Sequence, residues 1–114
     1  MEITEHKAAD IVTLVVSGRL DTTTANAFQD RVLAHIESGA RRIAIDLAGL
    51  EYISSAGLRV FILAAKRLDG AQGRIALCTL TEAVREVFDI AGFIPIFAIY
   101  DSHREALEGL RWAR

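Results

Sequence analysis

The 114-residue chain is 52% apolar and 25% charged, with a formal net charge of −2. That balance suits one α/β domain spanning residues 1–114 with a single core, and it excludes disorder; with the basic residues spread along the chain, no nucleic-acid partner is expected. The start lacks a signal-peptide pattern and no apolar run approaches ~18 residues, so the expectation is a cytoplasmic protein without a membrane partner.

A short strand near Ile3 is expected to pair as a hairpin with the β-branched strand Ile11–Val16, turning around Ala8, Ala9 and Asp10 and ending at Ser17-Gly18. Leu20 and Asp21 lead into Thr22–Thr24, any of which is placed to cap a helix over about 24–37. Ala25, Phe28, Val32 and Ile36 share one face of that helix, Leu33 sits at its edge, and Gly39 stops it. The next strand, Ile43–Asp46, is followed by a central stretch running from Asp46 to Arg59 and by a second helix from Ser55 to about Leu68.

In the second helix, Leu58, Phe61, Ile62, Ala65 and Leu68 follow core spacing. Half a turn away lie Ala56, Arg59, Val60, Leu63 and Arg67, more apolar than an ordinary solvent face. Two readings stand: a docking surface, or a helix buried more deeply than an amphipathic average. Gly70–Gly73 reads as a turn, then a strand over Ile75–Cys78. Cys78, the one cysteine, leaves no disulfide framework and is expected to be a buried small hydrophobe. Thr81 is placed to cap a short helix burying Val84, Val87, Phe88 and Ala91, with Gly92 as its stop. A last strand is expected over Ile96–Ile99. Ser102-His-Arg-Glu105 fits a capping box for a terminal helix carrying Ala106, Leu107 and Leu110, with Trp112 packed back or partly exposed.

No phosphate-cradling glycine loop or nucleophile elbow occurs. His6, His35 and His103 lie far apart and read as surface residues, so neither a metal, a cofactor nor a catalytic pair is expected. Asp21, Asp46 and Glu51 are expected near the strand ends, where loop carboxylates are usually solvated, and an enzyme is not expected.

The chemistry concentrates at Ser54, Ser55, Ala56 and Gly57. A serine beginning a helix either accepts a hydrogen bond from an unpaired first-turn N–H or, at an end carrying partial positive charge, tolerates a phosphate. Asp46-Leu-Ala-Gly-Leu-Glu-Tyr-Ile-Ser-Ser-Ala-Gly-Leu58 resembles the signature of STAS domains, in particular bacterial anti-sigma factor antagonists. Gly18-Arg-Leu-Asp21, Arg74–Cys78 and Val87–Phe93 match further segments in order, over nearly the whole chain. The resemblance implies a single STAS domain: a mixed, mostly parallel sheet with an N-terminal hairpin and about four helices.

It further implies Ser55 as a reversibly phosphorylated residue, two positions before Gly57. Ser54 stands where many members have aspartate, and is a competing acceptor; Ala56 stands where some have a second serine. Asp21, Asp46 and Glu51 would border the site, and Arg59, Val60, Leu63 and Arg67 would contact a partner. The implied partners are an anti-sigma factor that is a serine kinase of the histidine-kinase-ATPase type, and a PP2C-type phosphatase; the sequence leaves the oligomeric state open, a monomer being favoured. The alternatives are a constitutive STAS adaptor of a lipid-transport or signalling assembly, with Ser55 only a helix cap, and a nucleotide-binding module.

Overall fold

Strands β1 (Glu2–Ala8), β2 (Ile11–Leu20), β3 (Arg42–Ile53), β4 (Arg74–Cys78) and β5 (Ala98–Tyr100) alternate, from β2 onward, with helices α1 (Ala25–Glu37), α2 (Ser55–Gly70) and α3 (Glu82–Ile90). Helix α4 (His103–Trp112) closes the chain. This computed structural model describes residues 1–112, with side chains through Arg111; the expectation for the Trp112 side chain lies outside the described residues. The strands form one sheet in the order β1-β2-β3-β4-β5, antiparallel between β1 and β2 and parallel elsewhere. The single domain with a mixed sheet, an N-terminal hairpin and four helices is the architecture expected.

Alternation along β2 divides the molecule into two layers. Leu14 and Val16 join the large core beneath α1, α2 and α3, while Ile11 joins a smaller cluster with Ala44, Ala76, Cys78, Ala106 and Leu110 beneath α4. Phe61 of α2 binds the larger layer together. Its ring centroid lies 5.3 Å from that of Phe28 and 5.5 Å from that of Phe88, and all three rings are fully buried. Each such burial contributes about 2–3 kcal/mol. Cys78 is buried as expected, and that burial pushes its thiol pKa up.

Helix ends follow their residues. Gly39 and Gly92, at φ +106° and +78°, end α1 and α3, where a positive φ lets the following amides turn back onto helix carbonyls. Gln72 takes the same role after α2 at φ +63°, so that Gly73 N–H reaches the Leu68 carbonyl. Thr81 caps α3 by accepting from Val84 N–H at 3.3 Å. Ser102 accepts from Glu105 N–H and donates to the Glu105 carboxylate, a variant of the expected capping box.

Several expectations need correction. Strand β2 does not end at Ser17-Gly18, nor β3 at Asp46. Both continue past register shifts to the pair Leu20–Ile53. Asp46 holds the first irregularity, its carboxylate accepting Ala48 N–H at 3.0 Å, and Gly18 turns through φ +90°. The last strand begins at Ala98, leaving Ile96 exposed, and Ala91 is exposed rather than part of the buried face of α3. His35 and His103 are half-buried, not simply on the surface. His35 bonds Glu5, and His103 Nε2 lies 2.8 Å from the hydroxyl of buried Thr13.

The wheel of α2 is also rotated from the expected one. Its buried residues are Gly57, Leu58, Val60, Phe61, Ala64 and Leu68, whereas Ile62 and Ala65 are half-buried. Val60 is 4% exposed and belongs to the main core, so it is no part of a docking face. The reason is close packing: glycine at 57 and alanine at 64 let that side approach the layers below, and α2 also packs laterally on α1.

Candidate functional site: the β3–α2 junction

The extension of β2 and β3 beyond the end of β4 carries the chain to Ser54 at the lip of the sheet. Ser54 N–H donates to the Leu20 carbonyl at 2.8 Å, continuing the β2–β3 pairing by one more bond. The backbone then turns into α2, with Ser54 extended at φ −94°, ψ 173°. Its hydroxyl accepts from Gly57 N–H at 3.2 Å, and its carbonyl accepts the first helical bond, from Leu58 N–H, at 2.9 Å. Ser54 is therefore the helix cap.

Ser55 is not. It is the first residue of α2, it is exposed, and its hydroxyl has no hydrogen-bond partner among the described residues. The capping role that the sequence left open for Ser55 thus falls to its neighbour Ser54. Gly57 explains itself sterically. A Cβ there would lie 2.8 Å from Leu20 Cγ and 3.0 Å from Ile53 Cγ1, so only glycine lets the first turn settle on the strand ends. Ala56 is half-buried and packs against the main core.

Asp21 follows Leu20 directly, and so sits beside the Ser54 backbone. Its carboxylate accepts from the Thr23 hydroxyl at 2.7 Å and from Thr23 N–H at 2.9 Å. Those bonds, led by the Thr23 hydroxyl, hold its carboxyl below the usual aspartate pKa. The Thr24 hydroxyl bridges Arg19 O and Asp21 N–H, so Thr24 braces the turn rather than capping α1 with its side chain. Glu51 is the extra residue between the pairs Gly18–Leu50 and Arg19–Tyr52; it is exposed, four residues before Ser55. Asp46 lies elsewhere. It pairs with Val15 and Cys78, five residues down β2 from Leu20, about 16 Å at ~3.3 Å per residue. It shapes β3 and does not border Ser55.

On α2, Arg59 and Arg67 are exposed and Leu63 is half-buried. Two residues the sequence reading did not single out complete the rim. The Arg19 guanidinium stands 4.3 Å from the Tyr52 ring centroid, and its Nε lies 4.0 Å from Asp21 Oδ2, while Tyr52 is 41% exposed. Continuing both strands past Gly18 and Asp46 would have revealed them, because Arg19 and Tyr52 are then cross-strand partners. Among the described residues no group of three or more His, Cys, Asp or Glu side chains could hold a metal ion. The junction therefore presents the uncommitted Ser55 hydroxyl at a helix start, on a surface that also carries exposed Glu51, Tyr52 and Arg59 and the Arg19–Asp21 pair.

A mixed sheet flanked by helices on both faces, with a small-residue strand-to-helix junction of this form, defines a STAS domain. The STAS domain family model matches residues 2–106, and the chain belongs to that family. It is 38% identical to BtrV of Bordetella bronchiseptica, a candidate anti-sigma factor antagonist, over 99% of this chain and 97% of that protein. It is 30% identical to the anti-sigma F factor antagonist of Paenibacillus polymyxa, over 96% of this chain and 93% of that one. The crystal structure of TM1081 from Thermotoga maritima, a candidate anti-sigma factor antagonist, superimposes with a TM-score of 0.91 at 27% identity. That match covers 96% of this chain and 94% of the other.

Proposed function

We propose that the chain is an anti-sigma factor antagonist that switches partners through phosphorylation of Ser55. The observation that carries this reading is the division of labour at the junction: Ser54 caps the helix and Ser55 stays exposed and unbonded. The relatives' names support the antagonist role. In the unphosphorylated state the surface around Ser55, with Arg59, Leu63 and Arg67, binds an anti-sigma factor in the cytoplasm and releases the factor that it holds. That anti-sigma factor is a serine kinase of the histidine-kinase-ATPase type. It transfers the γ-phosphoryl group of ATP to Ser55 Oγ, breaking the bond to ADP as the hydroxyl proton leaves.

The phosphate brings about −1.5 to −2 charges into an interface already bordered by Asp21 and Glu51. Burying that charge without a cation from the partner costs several kcal/mol, enough to weaken binding by orders of magnitude. At the first position of α2 the phosphate meets unpaired N–H groups, so the domain stays folded. A PP2C-type phosphatase resets the surface.

Phosphosite mapping by mass spectrometry tests the assignment, using wild type, Ser54→Ala and Ser55→Ala incubated with the kinase and ATP. The expected result is one phosphate on Ser55, kept in Ser54→Ala and lost in Ser55→Ala. No phosphate, or one on Ser54 alone, overturns it; stable partner binding under the same phosphorylating conditions favours a constitutive adaptor.

A further inference from the structure

Helix α2 begins without an acidic residue in its first turn, where the unpaired N–H groups favour negative charge. One turn on, Arg59 is an exposed cation with neither a hydrogen bond nor an ion pair among the described residues, whereas Arg19 is engaged with Tyr52 and Asp21. The positions three and four away from Arg59 on its own helix are Ser55, Ala56, Ile62 and Leu63, none of them a carboxylate. Arg59 thus has no counter-ion on its helix, and Ser55 is the residue placed to become one.

We propose that Arg59 is the internal counter-ion of phosphorylated Ser55, closing over the phosphate and thereby leaving the surface offered to the partner. Ser55 and Arg59 stand at i and i+4, with Cβ atoms about 6 Å apart, and helical side chains lean toward the N-terminus, which puts a phosphate on Ser55 within reach of the Arg59 guanidinium. The order, anion first and cation four residues later, is the favourable one. A guanidinium donates two N–H bonds to a phosphate, which a lysine would not match in geometry. Phosphorylation then changes the docking surface twice: it adds a dianion, and it removes a cation that would meet the partner's carboxylates. The inference rests on Ser55 as the acceptor but concerns what the phosphate does once present.

The test avoids the kinase. Protein carrying phosphoserine at position 55, installed during translation, is titrated by phosphorus NMR as wild type, Arg59→Gln and Arg67→Gln. The guanidinium favours the dianion, so the second phosphate pKa, near 6, is expected to rise by about 0.3 unit or more in Arg59→Gln. Arg67→Gln should leave it unchanged, and 1 M salt should shrink the Arg59 effect. Equal values in wild type and Arg59→Gln, or an equal rise in Arg67→Gln, overturn the inference while leaving kinase labelling of Ser55 intact. Failure of the kinase to label Ser55, with the titration shift present, overturns the functional reading instead.

Discussion

Replacing Ser54 or Ser55 separately by alanine makes the division of labour at the junction measurable. Ser54→Ala removes the acceptor of Gly57 N–H, and a lost serine cap costs about 0.5–2 kcal/mol. At 3.2 Å this bond is at the long end of the usual range, so the lower half, about 0.5–1 kcal/mol, is expected. For 114 residues an unfolding entropy of ~2.1 cal/mol/K per residue converts 1 kcal/mol to about 4 °C, giving a fall of about 2–4 °C. Ser55→Ala deletes an unbonded hydroxyl at an exposed helical position and introduces a better helix former, so its effect stays within about 0.5 kcal/mol. Ser54→Asp, which keeps an acceptor and adds favourable charge at the helix start, should be as stable as wild type or slightly more so. Thermal and urea unfolding followed by circular dichroism measure all three. A Ser55→Ala loss equal to or larger than that of Ser54→Ala would refute the assignment of roles.

Gly57→Ala must displace Leu20 or Ile53 from contacts of 2.8 and 3.0 Å, a loss of about 1–3 kcal/mol by urea denaturation; a neutral result would mean the first turn of α2 shifts freely. Gln72→Gly relieves a side chain held at φ +63° and is expected to raise stability by about 0.5–1 kcal/mol, with a decrease counting against the strain. Glu5 joins β1 to α1, and hydrogen bonds from Arg31, then His35, lower its pKa from 4.5 to about 2. A depressed carboxyl pKa contributes stability that is present above about pH 4.5 and lost as the pH falls toward about 2. The stability gap between wild type and Glu5→Gln should therefore close across that window in urea titrations at stepped pH. A gap independent of pH would contradict the ion-pair origin.

Much of the fold was legible because its signals are local. The spacing of Ala25, Phe28, Val32 and Ile36 identified the buried face of α1, and Gly39, Thr81 and Gly92 marked helix ends through their own backbone chemistry. Strand length was not legible, because Gly18 and the Asp46–Gly49 run look like turns while they are bulges within a continuing pair. The rotation of α2 was hidden for a related reason. Ile62 and Ala65 satisfy helical periodicity as well as Val60 and Ala64 do, and only the packing of α2 against both α1 and the sheet selects between them. At the site, the residue types were visible but their roles were not: two adjacent serines have equal claim to the cap until Gly57 N–H is seen to reach the first of them. Asp46 was misplaced because proximity in the motif concealed a strand's length between it and Ser55.

The most direct test of the switch is the affinity of the anti-sigma factor for two forms of this chain, unmodified and carrying phosphoserine at position 55, measured by calorimetry at physiological salt. The account predicts tight binding of the unmodified form and at least about a hundredfold loss on phosphorylation, corresponding to the burial of a phosphate for which the partner supplies no cation. Equal affinity of the two forms would contradict it.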